Sequence, residues 1–262
     1  MADLAGTARP GSTSPTDPTR EWVPARVLAT RRETARATTF RLDLGRPSGH
    51  RAGQHVKVRV TPPGGSPTSR SYSIASAPDG GSVIELTVER LDGGVVSGHL
   101  HDRVHPGATV SVRGPKGTFT WGGTTPALLV GGGSGLVPLM AMLRLARRTG
   151  QSGLVRLVAS ARAPGDLFYR DELVGPEVSV IHTRAAGSLV RQAGRLTVDD
   201  LAPLFLPGAT AFVCGSKGFA GAARDLLLGL GVPAERIRVE AFGPTATAEV
   251  APAPGTPATV LG

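Results

Sequence analysis

Arg70, Tyr72 and Ser73 fall together in the run Arg70-Ser71-Tyr72-Ser73-Ile74-Ala75-Ser76. They offer a cation for a phosphate, an aromatic face for stacking and a hydroxyl for a heteroatom. By composition alone the same run also reads as a β-strand of mixed polarity. A second concentration of chemistry lies in Leu128-Leu129-Val130-Gly131-Gly132-Gly133-Ser134-Gly135-Leu136-Val137-Pro138, an apolar strand that turns through glycines into a helix. Glycines let main-chain N–H groups approach a pyrophosphate, and the helix N-terminus favours its charge. Pro138 suits a first helical turn, where a missing N–H costs little. The spacing is G-G-x-G-x-x-P and not G-x-G-x-x-G, so this segment alone reads equally well as a structural turn.

Basic residues follow the next apolar runs in a regular way. Ser160-Ala161-Arg162 closes one, Thr183-Arg184 closes the next, and Arg195 follows in Gly194-Arg195-Leu196. In a parallel sheet all of these fall beyond strand C-terminal ends, where ligands bind. Three guanidiniums and neighbouring hydroxyls would suit a dianionic phosphate through charge-assisted, bidentate bonds. Singly, each arginine reads as a solvated surface group. Arg170, in Tyr169-Arg170-Asp171-Glu172, is a weaker member that reads as a partner of its neighbours.

The elements that must position these groups divide the chain in two. Between Trp22 and Trp121, short alternating segments (Ala25–Ala29, Thr39–Leu44, His55–Val60, Val83–Arg90, Thr109–Arg113) alternate with Gly, Pro and Asp turns. That rhythm predicts an antiparallel β-barrel. After Gly122-Gly123 strands alternate with helices: Pro126–Val130, a helix over Leu136–Arg148, then strands at Leu154–Ala159, Val178–Thr183 and Thr210–Cys214. This predicts an α/β domain with a doubly wound parallel sheet. The expected organisation is a disordered lead over residues 1–20, the barrel over 21–122, the α/β domain over 123–245 and a disordered tail over 246–262.

Composition bounds the chemistry. The chain has 262 residues, 36 glycines, 22 prolines and a net charge of +9 carried mostly by scattered arginines. With no basic run of five or more, nucleic acid is not an expected ligand, and an arginine-rich surface or an acidic protein partner is. The single cysteine, Cys214, excludes an internal disulfide, a Cys-ligated iron–sulfur cluster and a four-cysteine zinc site, and no metal site is expected. No apolar run is long enough to span a membrane, and the N-terminus lacks the regions of a secretory signal, which predicts a cytoplasmic protein.

Arg70-x-Tyr72-Ser73 resembles the flavin motif of the ferredoxin–NADP reductase superfamily. Further motifs occur in that family's order: Gly53-Gln54-His55, Gly94-Val95-Val96-Ser97, Gly114-Pro115-x-Gly117-x-Phe119, Gly132-Gly133-Ser134-Gly135-x-x-Pro138 and Cys214-Gly215. The resemblance covers about residues 22–245. It implies that Arg70 binds the flavin phosphate, Tyr72 packs on the isoalloxazine and Ser73 bonds near flavin N5, with Ser71, Thr87 and Val88 also at the flavin. The turn Val95-Val96-Ser97 would hold the pyrophosphate, favouring FAD over FMN. Gly133, Ser134, Cys214 and Gly215 would lie at the nicotinamide, and Ser160, Arg162, Thr183, Arg184 and Arg195 at a 2′-phosphate, favouring NADPH over NADH. Glu240 would stand near the flavin as an acidic catalytic group beside Ser73 and Cys214, and Phe242 would shield the ring. Relatives with a Glu-Arg-Phe-Gly ending have a basic residue where this chain has Ala241.

The implied activity is transfer of electrons from NADPH through FAD to a separate, acidic protein acceptor: a ferredoxin, a flavodoxin, or an oxygenase or molybdoenzyme partner. The lone cysteine excludes an iron–sulfur domain within these residues, and no globin segment is present. An NADH-specific reductase component and a non-catalytic flavin or nucleotide sensor are the competing readings.

Overall fold

The computed structural model describes residues 21–184 and 192–243. The expected lead over 1–20 and tail over 246–262 lie outside the described residues. The N-terminal half is an antiparallel sheet of six strands: β1 (Val23–Arg32), β2 (Ala37–Asp43), β3 (His55–Val60), β4 (Thr68–Ser73), β5 (Val83–Glu89) and β6 (Thr109–Lys116), in the order β4-β3-β6-β1-β2-β5. Alternation turns one face of the strands to the core. In β3, Val56, Val58 and Val60 point inward while Lys57 and Arg59 point out. The two edges approach at the single bridge Ile74–Leu86, so the barrel is nearly rounded but its ladder does not close.

Helix α1 (Val95–Arg103) packs into this core through Val96 and Leu100, with Val104 just beyond its end. No helix was expected in this half. Its nine residues include Gly98, two histidines and an adjacent Asp-Arg pair, so it carries little apolar periodicity and forms because three apolar side chains fill the barrel floor.

The second half is a parallel sheet of β7 (Ala127–Gly132), β8 (Val155–Ala161), β9 (Val178–His182), β10 (Thr210–Ser216) and β11 (Ile237–Phe242), in the order β11-β10-β7-β8-β9. The chain direction of winding reverses between β7 and β10. In such sheets that reversal opens a crevice at the strand C-terminal ends. Helix α2 (Leu136–Arg148) covers one face, and α3 (Val198–Leu201) and α4 (Lys217–Gly229) cover the other. Ser216 caps α4 by accepting the Phe219 N–H at 3.3 Å.

The two halves share one core. Ala37, Ala52, Ala75, Phe119 and Trp121 of the antiparallel half belong to the same buried cluster as Leu139, Met142 and Leu143 of α2. Gly53 sits where the halves meet: a Cβ there would lie 2.1 Å from the Phe119 carbonyl oxygen of its own half and 2.6 Å from Met142 of α2. No helix among the described residues is long and apolar enough to cross a membrane.

Candidate active site

Strand β4 runs antiparallel to β3 with Arg70 opposite Val58, Tyr72 opposite Val56 and Ser73 opposite His55. Ser73 is 7% exposed, yet its hydroxyl has no hydrogen-bond partner. A buried polar atom left unpaired costs about 1–3 kcal/mol, so its persistence points to a ligand atom that completes it. Tyr72 packs partly on the barrel core, and burial, opposed by the Arg70 charge, raises its phenol above the ordinary value. The Arg70 guanidinium rests on the Ser69 carbonyl at 2.9 Å, and Ser71 is exposed.

The segment read as a phosphate-holding turn is the first turn of α1. Gly94 is its N-cap, and the first helical bond closes from Gly98 N to Gly94 O, which leaves the N–H groups of Val95, Val96 and Ser97 without helical acceptors. N–H groups so placed could cradle an anion. The Ser97 hydroxyl does not share in it, because it is buried and bonded to Leu91 N (3.2 Å) and Gly94 O (3.3 Å). Val96 lies in the core, and Val95 is exposed.

Thr87 and Val88, expected at the flavin, have side chains engaged elsewhere. The Thr87 hydroxyl bonds Thr39 and Tyr169, and the Val88 side chain lies in the barrel core while its carbonyl accepts from His101 Nε2 at 2.9 Å. Alternation along β5 sends Thr87 to the domain boundary and Val88 to the core.

The glycine turn and Cys214 meet at the crevice between β7 and β10. Cys214 pairs in register with Gly131, and a Cβ on Gly135 would fall 2.1 Å from the Cys214 carbonyl oxygen. Gly132 and Gly215 are likewise closed in by Phe219, while Gly133 has φ +56° and open space around it. A side chain at Gly132, Gly135 or Gly215 would strike the protein itself, so glycine is what lets the turn pack so tightly. The turn Gly133–Gly135 abuts β5 of the other half, so Ser134 and Cys214 stand at the domain boundary. On the next strand Glu240 is in register with Cys214, and Phe242 packs against the shared core. Burial, and secondarily the Glu240 charge, raises the Cys214 thiol. Burial also raises the Glu240 carboxyl. A thiol so buried suits a neutral, apolar wall better than a nucleophile.

The arginine edge is held by main chain beyond the ends of β8 and β9. Thr183 N donates to Ala161 O (2.9 Å), Arg184 N to Arg162 O (2.9 Å) and Gly194 N to His182 O (3.0 Å). These bonds bring the backbones of Arg162, Arg184 and Arg195 to one sheet edge, with all three residues exposed and Ser160 buried beside them. His182, which the sequence did not suggest, is buried there with neither ring nitrogen bonded.

A further group crosses the domain boundary unannounced by any motif. Tyr169, 1% exposed, donates its phenol proton to Thr87 at 2.5 Å; Thr87 and Thr39 hydroxyls lie 2.7 Å apart; Thr39 donates to Glu33 Oε1 at 2.6 Å; and Glu33 Oε2 accepts the Tyr169 N–H at 3.1 Å. Arg144 of α2 holds Glu172 with two bonds (2.8 and 2.6 Å), Glu85 at 2.9 Å and the Ala75 carbonyl at 2.9 Å. Its guanidinium lies 5.2 Å from the Tyr169 ring centroid. Burial opposes the Arg144 charge, but the Glu172 bonds and the Glu172 and Glu85 charges outweigh it and hold the group protonated.

Three features therefore fit an extended dinucleotide and a flavin: an unpaired buried hydroxyl on β4, free N–H groups at α1 and a glycine cradle at the switch point. Among the described residues no cluster of His, Cys, Asp and Glu could hold a metal ion.

Comparison with known proteins agrees with this geometry. Residues 24–121 match the oxidoreductase FAD-binding domain. A ferredoxin–NADP reductase B of Sorangium cellulosum is 36% identical over 208 residues, covering 73% of this chain and 84% of the relative. A flavohemoprotein of Pseudomonas putida is 33% identical over 208 residues, covering 75% of this chain but 52% of its own length; the chain thus spans about half of that relative. The FAD/NAD binding domain of a nitric oxide dioxygenase from Vibrio cholerae superposes with a TM-score of 0.77 at 26% identity, covering 86% of this chain and all (100%) of that domain.

Proposed function

Because the chain belongs to the ferredoxin–NADP reductase superfamily, whose flavin-binding domain it carries, we propose that it moves electrons from NADPH through FAD to a separate protein acceptor. Bound FAD would supply the redox chemistry, accepting two electrons as hydride from the nicotinamide and releasing them singly. The protein's own residues bind, orient and insulate. Arg70 and the first turn of α1 would hold the phosphates, Tyr72 would pack on the ring, and Ser73 would offer its hydroxyl to the flavin. Ser134 and Cys214 would border the nicotinamide, with Glu240 and Phe242 near the flavin.

The observation that carries this reading is the Ser73 hydroxyl, buried and unpartnered. It is tested by loading the chain with FAD and adding NADPH without oxygen. The yellow flavin band is expected to bleach, and artificial one-electron acceptors to be reduced with turnover. A flavin that binds but is never reduced would make the protein a sensor.

The preference for NADPH rests on Arg162, Arg184 and Arg195, whose common placement beyond β8 and β9 suits a 2′-phosphate. An acidic acceptor is supported by charge. Strands β3, β4 and β6 carry Lys57, Arg59, Arg70, Arg113 and Lys116 and no carboxylate. Arg59 and Arg113 also lie 4.3 and 4.7 Å from the ring centroid of Trp22. Such a face steers an acidic partner toward β4 and weakens with salt. The reaction suits the cytoplasm, where nicotinamide nucleotides and soluble redox partners meet.

A further inference from the structure

Resting on that reading of the reaction, we propose that Arg144 and Tyr169 are positioning residues, the centre of an interdomain clasp that sets the distance between nicotinamide and flavin. The two reacting groups would be held by different halves of the molecule. Ser73 ends β4 in the antiparallel half, whereas the Gly133–Gly135 turn and Cys214 belong to the parallel half. Hydride transfer tolerates little error in that separation, since a displacement of about 1 Å costs on the order of 100-fold in rate.

One rigid element spans the gap. Helix α2 starts at Leu136, directly after the glycine turn, and Arg144 lies eight residues further along it, about 12 Å away. From there its guanidinium grips the carbonyl of Ala75, two residues after Ser73. The helix is thus a strut with the nicotinamide turn at one end and the flavin strand tied near the other. A guanidinium has five N–H donors in a fixed fork. Arg144 spends four bonds on three separate partners, and Glu172 holds it from behind in the chelate that best fixes such a fork. Its freedom to re-aim is small.

Tyr169 supplies the second tie. Its phenol begins a one-way chain of hydroxyls, Tyr169 to Thr87 to Thr39 to Glu33, and its own N–H returns to the same carboxylate. Tyr169 is the only non-glycine with positive φ (57°) among the described residues. A bulky aromatic stays in that region only when its surroundings over-determine it, and such strain gathers where geometry matters to function. Thr87, Thr39, Glu33, Glu85 and Ala75 all lie in the antiparallel half, while Arg144, Tyr169 and Glu172 lie in the other. Every bond between the two sets crosses the boundary.

A purely structural clasp would change stability and leave the chemical step alone. The test compares FAD-loaded full-length wild type with Tyr169→Phe, Arg144→Lys and Glu85→Gln by anaerobic stopped flow at saturating NADPH, using 4-deuterated nucleotide to confirm that hydride transfer is observed. Flavin reduction is expected to slow about tenfold in Arg144→Lys and by a smaller factor in Tyr169→Phe, with the KM for NADPH held within about twofold. Photoreduction of the flavin should not change. Glu85→Gln, which keeps an acceptor for Arg144 but gives up its charge, should slow reduction less than Arg144→Lys does. If Arg144→Lys does not fold, Tyr169→Phe and Thr87→Val decide the matter. Variants that lose melting temperature but reduce at the wild-type rate overturn the clasp alone. A wild type that neither nucleotide reduces overturns the proposed reaction, and the positioning role with it.

Discussion

The phenol of Tyr169 gives its proton to the Thr87 hydroxyl at 2.5 Å, joining residues 82 positions apart and from opposite halves of the molecule. Thr87, expected near the flavin, has its hydroxyl bonded to Thr39 and Tyr169 at the domain boundary. The relationship between the halves is therefore specified by buried polar bonds as well as by the shared core around α2. Such networks fix one arrangement because each unmade bond is costly.

Loss of that bond is measurable as stability. Tyr169→Phe leaves the Thr87 hydroxyl without its donor in a buried site, and is expected to destabilise the protein by about 1–2 kcal/mol. Urea unfolding followed by circular dichroism checks this, with the midpoint moving and the slope unchanged. A midpoint equal to that of the wild type would show the bond to be dispensable.

Ser73→Ala separates the needs of the ligand from those of the fold. The hydroxyl is unpartnered in the protein alone, so the flavin-free variant should be as stable as the wild type or slightly more so. With FAD bound, flavin reduction should slow by about 10- to 100-fold through loss of one preorganised donor. Equal rates would remove Ser73 from the chemistry.

Cys214 should be chemically silent. Its thiol is buried and raised, first by burial and then by the facing Glu240. A thiol reagent at mildly alkaline pH is expected to leave the folded protein unlabelled and to label it quickly once it is unfolded. Rapid labelling of the folded chain would contradict the neutral wall described above.

Glu240 gives a pH signature of definite sign. Burial raises its carboxyl in the folded state above the unfolded value, so the folded protein binds more protons in the mildly acidic range. Its contribution is fully present below the unfolded pKa and is lost as pH rises through the folded pKa. Glu240→Gln should therefore raise flavin-free stability at neutral pH and flatten that slope. Thermal melts of both proteins from mildly acidic to neutral pH would reveal an unchanged slope if the carboxyl is effectively solvated.

Nucleotide choice tests the arginine edge. Arg184→Ala is expected to lower kcat/KM for NADPH relative to NADH by about 10- to 100-fold, the loss of one charge-assisted bond of about 1.5–3 kcal/mol. Arg162→Ala should act in the same direction. If both ratios stay at the wild-type value, the 2′-phosphate is held elsewhere or is not selected.

Much of this architecture was legible in local pattern. The span Leu136–Arg148 reads as a helix from its apolar spacing, and the structure forms it over the same residues. His55–Val60 alternates cleanly because one face is core and the other solvent. α1 was not legible, since a short helix with glycine inside owes its existence to the barrel floor it covers. At the site, Arg70-x-Tyr72-Ser73 and the glycine turn were visible because they are contiguous. The clasp was not: the Tyr169 N–H and the Glu33 carboxylate that holds it are 136 positions apart, and Tyr169-Arg170-Asp171-Glu172 suggests only local pairing. In the fold Arg170 is exposed, while Tyr169 reaches Thr87 and Glu33, and Glu172 reaches Arg31, across the boundary.

The central claim meets its most direct test in an anaerobic titration of the FAD-loaded chain with NADPH and, in parallel, NADH. The account predicts that NADPH bleaches the flavin band stoichiometrically, one nucleotide oxidised per flavin, and that NADH does so more slowly. A chain that cannot be loaded with FAD, or a bound flavin that neither nucleotide reduces, would contradict it.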